Sequence, residues 1–307
     1  ASTVSSRGVY KFPVEDKKSA TYDDHQCSSY DVEACSWSNI PDEDFALADD
    51  NHWTIGQFVW TGFDYLGEPS PYDTNAWPNH SSMFGIIDLA SIPKDRYYLY
   101  RSVWNKKAET LHILPHWTWP GREGKVTPVF VYTNHPTAEL FINGKSYGKQ
   151  SKNNSSLKNR YRLMWMDAIY EPGEIKVVAY NKDGKAVAEK IVRTAGKPHH
   201  IELVSNRNEL TADGKDLAYI TVKVVDKDGN LCPADSRQIN FSVKGAGKYR
   251  AAANGDPTNL EQFHLPKMHT FNGMLTAIVQ SGETAGEIVL TAKASGVKAG
   301  NIRIQTK

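Results

Sequence analysis

The sequence predicts a multidomain chain, an incomplete α/β segment followed by two all-β sandwiches of immunoglobulin type. Three observations point there. The 307 residues are 40% apolar and 23% charged, a globular composition with room for two or three cores. The formal net charge of +1 averages over unlike parts, since residues 1–73 hold 14 Asp/Glu against 4 Lys/Arg and the rest hold 21 against 32. Seven of the eight tryptophans lie at or before Trp119 and none follows Trp165. An acidic, aromatic first part is therefore joined to something built differently.

In the first part, Asp42-Glu43-Asp44-Phe45-Ala46-Leu47-Ala48 reads as a helix start, because negative charge suits the positive end of the helix dipole. The apolar run Ile55-Gly56-Gln57-Phe58-Val59-Trp60 reads as a buried strand, and Pro93 to Tyr100 as a helix with Pro93 at its first position. Helix, continuous apolar strand, long loop and helix are the grammar of a parallel α/β sheet. One strand and two helices cannot close such a sheet, so the segment is incomplete.

From about residue 105 the grammar changes. Val126 to Thr133 and Ala138 to Ile142 read as strands, and Asn143-Gly144 after the second is a strong hairpin signal. Gly173 to Tyr180 alternates and then turns at Asn181-Lys182-Asp183-Gly184. A third stretch repeats the pattern with Leu217 to Val225, a turn at Asp226 to Asn230, then Ile239 to Val243, Gly286 to Ala292 and Asn301 to Gln305. Strands at this spacing with Gly/Asn turns predict antiparallel sandwiches. Thr194-Ala195-Gly196-Lys197-Pro198 marks the join between them, giving domains at 1–104, 105–197 and 198–307.

Several function classes are disfavoured. Near-zero net charge argues against a dedicated binder of nucleic acid or anionic membrane. No apolar run reaches the length of a membrane helix. Cys27, Cys35 and Cys232 are too few for a disulfide framework or a four-cysteine zinc site, although Cys27 and Cys35 can form one bridge. The Asp226 to Asn230 segment lacks the glutamate of a calcium loop and reads as a β-turn. His199 and His200 would point to opposite faces of a strand, which disfavours a shared metal ion.

Trp60 ends the apolar run and is followed by Thr61-Gly62-Phe63-Asp64-Tyr65. Barrel enzymes place their sites at strand C-terminal ends. An indole there suits the C–H face of a sugar, with Asp64 accepting hydrogen bonds from hydroxyls. The competing reading has Trp60 and Phe63 filling core and Asp64 capping a loop.

Longer motifs add a resemblance. The run Gly56-Gln57-Phe58-Val59-Trp60-Thr61-Gly62-Phe63-Asp64-Tyr65-Leu66-Gly67-Glu68-Pro69 resembles the last barrel strand of glycoside hydrolase family 2 β-galactosidases. Gln26 to Asp31, Ser81 to Asp88, Pro93 to Tyr98, Leu114 to Gly121, Val131 to Asn134, Leu140 to Ser146 and Tyr170 to Gly173 are similar to the Bacteroides-type branch of that family. Ala253-Asn254-Gly255-Asp256-Pro257 resembles invasin-like modules that terminate such enzymes.

The resemblance implies the C-terminal fragment of a TIM (β/α)8 barrel over 1–104, followed by two immunoglobulin-like sandwiches, and a parent enzyme that hydrolyses terminal β-galactosides with retention. It implies Trp60 as a wall of the galactose subsite and Asp64 as an acidic position near its floor. It implies no catalytic residue in this chain. Ala1-Ser2-Thr3 is similar to the tail of the segment carrying the nucleophilic glutamate, and Glu15, Glu33, Glu43 and Glu68 match neither catalytic motif. This chain alone is then expected to be inactive. Phe84 stands where some members carry an asparagine that helps bind sodium, so neither a metal site nor a cofactor is expected. Ser2, Cys27, Ser28 and Tyr30 line the pocket or pack beneath it. The implied partners are a β-galactoside or related glycan and the N-terminal remainder of the enzyme, and the implied location is periplasmic or extracellular. The rival reading is a noncatalytic carbohydrate-binding or surface module, with Trp117 and Trp119 as a sugar platform.

Overall fold

The computed structural model describes residues 28–32, 34, 37–69 and 77–307. The chain divides into two compact units. One holds the described residues up to Asp88 together with Pro93–Thr194, and the other holds Leu89–Ile92 and Ala195–Lys307.

In the first unit, helix α1 (Pro41–Asp50) forms at the expected acidic start, with Asp42, Glu43 and Asp44 in its first turn. Helix α2 spans Asp95–Trp104, two residues later than a start at Pro93. Lys94 keeps an extended backbone as the N-cap residue, and its side chain is turned to Asp64. Strands β1 (Leu111–Leu114), β2 (Val129–Thr133), β3 (Thr137–Ile142) and β4 (Lys145–Ser151) follow, then the short helix α3 (Leu157–Tyr161). Strands β5 (Leu163–Trp165), β6 (Glu174–Tyr180) and β7 (Ala186–Arg193) complete two sheets, ordered β1-β2-β5 and β4-β3-β6-β7. The β3–β4 hairpin turns at Asn143-Gly144, both with positive φ, as the dipeptide predicts.

The two sheets share a core. Ala138, Leu140 and Ile142 of β3 and Ile175, Val177 and Ala179 of β6 meet Val129, Val131, Leu163 and Trp165, with Trp117 fully buried among them. Strand β2 reads Val-Phe-Val-Tyr-Thr and every residue is buried. Its other face, Phe130 and Tyr132, packs with Tyr30, Phe45, Leu99 and Tyr100. A strand covered on both faces needs no polar alternation, which is why this one is continuously apolar. Strand β4 escaped the sequence reading because it is a polar, Lys-rich edge strand with no buried residue.

The predicted barrel piece is not realised. No TIM barrel is present, and no regular strand forms among the described residues before β1. Ile55 to Val59, expected to be a buried strand with Trp60, is irregular, with Ile55 and Phe58 fully exposed. A buried parallel strand needs neighbours on both sides and cover on both faces, and among the described residues the run pairs with no strand and only Val59 packs against the core. Only just beyond it do Thr61 and Gly62 accept hydrogen bonds from Ile86 and Ile87.

The second unit is an all-β sandwich. Its first sheet is ordered β12-β14-β10-β8, from β8 (His200–Ser205), β10 (Leu217–Val225), β12 (Gly247–Ala253) and β14 (Met274–Ser281). The second is β13-β11-β15-β16-β9, from β9 (Glu209–Leu210), β11 (Gln238–Gly245), β13 (Lys267–His269), β15 (Gly286–Lys293) and β16 (Gly300–Thr306). Alternating residues such as Ala218, Ile220 and Val222 face Ile239, Ile288, Leu290 and Ile304 across the core. Cys232 is a free, buried thiol, while Cys27 and Cys35 lie outside the described residues.

The Asp226 segment is a side-chain-braced turn. Asp226 accepts from the backbone of Gly196, Asp228 and Asn230 and from the Asn230 amide. Burial works against its charge, but these donors prevail and hold the carboxyl down at about 2. Its contribution to stability is complete above the ordinary aspartate range near 4 and is lost as pH falls toward the folded value. Asp226→Ala is expected to destabilise this unit by about 2 kcal/mol at neutral pH. The gap from the parent should close between about pH 4 and 2. Urea melts across that range check it. The two histidines differ from expectation, because His199 precedes the strand and its Nδ1 meets that of His200 at 3.0 Å. Among the described residues no group of three or more His, Cys, Asp or Glu can hold a metal ion. No helix among them is long and apolar enough to cross a membrane.

Candidate functional site

The site residues named from sequence lie on the segment 60–69 and on the segment that pairs with it. Thr61 N donates to Phe84 O (3.3 Å), Ile86 N to Thr61 O (3.1 Å) and Asp64 N to Ile87 O (3.0 Å). This is a short parallel pairing, joined on its far side by Ser82 N to Tyr65 O (2.8 Å) and Gly67 N to His80 O (2.9 Å). The Trp60–Thr61 peptide is cis. Gly85 is required where the two segments touch, since a Cβ there would lie 2.2 Å from Asp64 N and 2.6 Å from Ile87 O. Both obstacles are backbone and cannot swing aside. Gly85→Ala is expected to cost about 3 kcal/mol and to open this pairing, measured as a lower urea midpoint and faster amide exchange at Asp64 and Ile87.

Asp64 is buried. Its Oδ1 accepts from Gly85 N (2.8 Å) and Lys94 Nζ (2.9 Å), and its Oδ2 lies 2.8 Å from the same ammonium. Lys94 is fully buried and also donates to Met83 O (3.3 Å). Burial raises the Asp64 carboxyl above the ordinary aspartate range, against the pull of Lys94 and the Gly85 amide. Its charge is therefore held by protein groups. Trp60 is more than half exposed at 57%, with its Nε1 donating to the Tyr65 hydroxyl (3.3 Å). An exposed indole next to a fixed backbone pairing offers a flat apolar face to a ligand.

The other candidates separate. Ser28 is buried, and Tyr30 is fully buried with its hydroxyl donating to Pro128 O (2.8 Å), a packing role. Ser2, Cys27, Glu15 and Glu33 lie outside the described residues. Glu43 sits exposed in the first turn of α1, and Glu68 accepts from Tyr65. Phe84 is buried and its carbonyl accepts from Arg96 (2.9 Å). Trp117 is fully buried and donates to Glu171 O, so it cannot present a sugar platform; Trp119 is half-buried and stacks on His116.

Sequence reasoning missed two buried ion pairs that hold the segment around Asp31 and Asp42, one to Arg162 beside the sandwich strands and one to Arg96 of α2. Arg162 Nε donates to Asp42 Oδ1 (3.0 Å), Nη2 to Asp42 Oδ2, and Nη1 to Tyr30 O (2.7 Å) and Asp31 O (3.3 Å). Arg96 Nε donates to both oxygens of Asp31 at 3.1 and 3.3 Å. Nothing local signals them, since Asp42 lies in the acidic run Asp42-Glu43-Asp44 that reads as a solvated helix start.

The whole length of the chain is similar to family 2 glycoside hydrolases, and the chain belongs to that family. Residues 201–303 match glycoside hydrolase family 2 C-terminal domain 5, and residues 124–188 match a domain of unknown function, DUF4982. Over its whole length the chain is 41% identical to the β-galactosidase BoGH2A of Bacteroides ovatus, of which it covers 36%. It is 34% identical to a putative β-glucuronidase of Formosa agariphila, over 81% of this chain and 24% of that one. Among solved structures, a β-glycosidase from Bacteroides vulgatus matches 99% of the chain at TM-score 0.85 and 32% identity, with 40% of that chain covered. The chain thus spans about a third or less of the length of these curated relatives.

Proposed function

We propose that this chain is the C-terminal part of a retaining β-galactosidase, in which Trp60 stacks on the sugar and Asp64, clamped by Lys94 and Gly85, shapes the pocket floor. The observation that carries the reading is the joint geometry of these residues: a 57% exposed indole four residues before a carboxylate held at 2.8 to 2.9 Å by buried donors. The whole-chain likeness to a β-galactosidase supports the choice of galactoside over other hexosides.

Retention needs two carboxyl groups about 5–5.5 Å apart, one nucleophile and one acid/base. Asp64 is committed to Lys94, and Glu15, Glu33, Glu43 and Glu68 match neither catalytic motif, so on this reading both groups come from polypeptide outside this sequence. Exposed Trp53, Ile55, Phe58 and Phe63 support the same view, because such a stretch of apolar surface is costly in water and is suited to burial against further polypeptide of the parent enzyme. Lone residues 1–307 are then inactive. No redox cofactor enters the reaction. The reading includes a periplasmic or extracellular location, which cell fractionation tests.

The decisive experiment expresses the full reading frame containing this sequence and compares aryl β-galactoside with aryl β-glucuronide. Galactoside hydrolysis is expected, with Trp60→Ala raising KM by up to about tenfold, the loss of one well-placed aromatic contact. Preference for the glucuronide overturns the substrate, and an unchanged KM in Trp60→Ala overturns the subsite.

A further inference from the structure

The Trp60 indole does not end at solvent. Its Nε1–H donates to the Tyr65 hydroxyl at 3.3 Å, and that hydroxyl donates in turn to Glu68 Oε2. The Tyr65 ring meets the indole edge-on, with centroids 6.0 Å apart and planes at 80°. A phenol hydroxyl has one proton to give and lone pairs to receive, so one oxygen serves both links, and the Glu68 carboxylate makes it a better acceptor for the indole.

Tyr65 itself stands on a rigid base. Its backbone N–H donates to Ser82 Oγ (3.2 Å), and its carbonyl accepts from Ser82 N (2.8 Å) and Ser81 Oγ (3.1 Å). Two residues on, Gly67 N is bound to His80 O (2.9 Å), which fixes the approach of Glu68. The backbone on either side of Trp60 is anchored, Val59 by packing on the core and Thr61 by its bonds with Phe84 and Ile86, but the indole itself is more than half exposed and its side-chain hydrogen bond goes to Tyr65. Exposed polar links of this kind add little to folding stability. What they can do is hold the plane of a half-free aromatic ring, and a stacking surface gains affinity by being held before the ligand arrives.

We propose that Tyr65 and Glu68 are positioning residues that lock the Trp60 indole in the plane needed to stack on a sugar. This deepens the subsite reading above and rests on it for the sugar.

The test has two arms. In the 307-residue chain, the Trp60 indole N–H is followed by NMR and assigned by its disappearance in Trp60→Phe. Tyr65→Phe should shift that resonance alone among the indoles and speed its exchange, and Glu68→Ala should do so partially. In the enzyme from the full reading frame, Tyr65→Phe should raise KM for an aryl β-galactoside about three- to tenfold, the worth of one hydrogen bond, with kcat within about twofold. Glu68→Gln, whose amide oxygen still accepts from Tyr65, should restore most of the loss seen in Glu68→Ala.

An unmoved indole resonance in Tyr65→Phe overturns the relay. A moved resonance with unchanged KM overturns the positioning role. Loss of kcat and melting temperature without a KM change shows a merely structural pair and overturns it as well. If Trp60→Ala itself leaves KM unchanged, the subsite reading fails separately, while the indole arm still decides whether the relay exists.

Discussion

Replacing Lys94 with methionine is expected to destabilise the first unit by about 3–5 kcal/mol at neutral pH, because it strands the buried Asp64 carboxylate without its counter-charge. Lys94 is fully buried and lies 2.8 to 2.9 Å from both Asp64 oxygens, so no water stands ready to replace it. The pH dependence identifies the cause. Burial already raises the Asp64 carboxyl, and removing the ammonium raises it further. A carboxyl with a higher pKa folded than unfolded binds more protons when folded, so lowering pH through that interval favours the folded state. The deficit of Lys94→Met relative to the parent should therefore shrink as pH falls. Asp64→Leu combined with Lys94→Met should recover much of the loss, since an apolar pair of similar volume leaves no buried charge. Equilibrium urea unfolding of the single and double variants reads both effects. A loss in Lys94→Met that stays constant with pH would show that packing, not charge, sets it.

Arg162→Met is the second large effect, about 3–5 kcal/mol for the same physical reason. It removes the bidentate partner of Asp42 and the donors to Tyr30 O and Asp31 O in one step. Because those acceptors lie at and before α1 while Arg162 lies just after α3, the variant should do more than lower a midpoint. Amides of α1 should lose exchange protection well before those of β3 and β6, whose core contains none of these groups. Asp42→Asn should be milder, because a neutral amide still accepts one of the two bonds. Uniform loss of protection across both regions would show that the pair supports the whole unit and not the attachment of one segment.

The two variants probe the part of the chain where reading the sequence went astray. Strands of the sandwiches were legible because each carries its own periodic signal: Leu217 to Val225 alternates and forms β10 as read, and Asn143-Gly144 turns where the dipeptide demands. The Ile55 to Trp60 run carries an apolar signal too, but such a run says only that burial would be favourable, not that a neighbour is present to provide it. Lys94 was read only as the second residue of a helix starting at Pro93. Its burial depends on Asp64, thirty positions away, and on Gly85 letting two backbones touch, and no local pattern encodes either.

Trp60 and Asp64 could be picked out from their motif, yet the motif does not say what each side chain touches. It left Asp64 free to accept from sugar hydroxyls, whereas the fold spends both its oxygens on Lys94 and Gly85. It left Trp117 open as a platform, whereas the sandwich core encloses it. Tyr65 and Glu68 drew no notice as a pair, since a tyrosine and a glutamate three residues apart on an irregular segment have no regular geometry.

By itself, then, the sequence determined the predominantly β character of the chain beyond α2, the acidic start of α1 and the membership of glycoside hydrolase family 2, all properties written in short-range periodicity, turn chemistry or unbroken motifs. Only the tertiary structure decided which charges are buried and paired, which tryptophans are open to solvent, and that the described residues before α2 form no barrel. Those outcomes turn on contacts between residues far apart in the chain. Burial of a charge or an indole is a property of the partners that surround it, not of the residue alone.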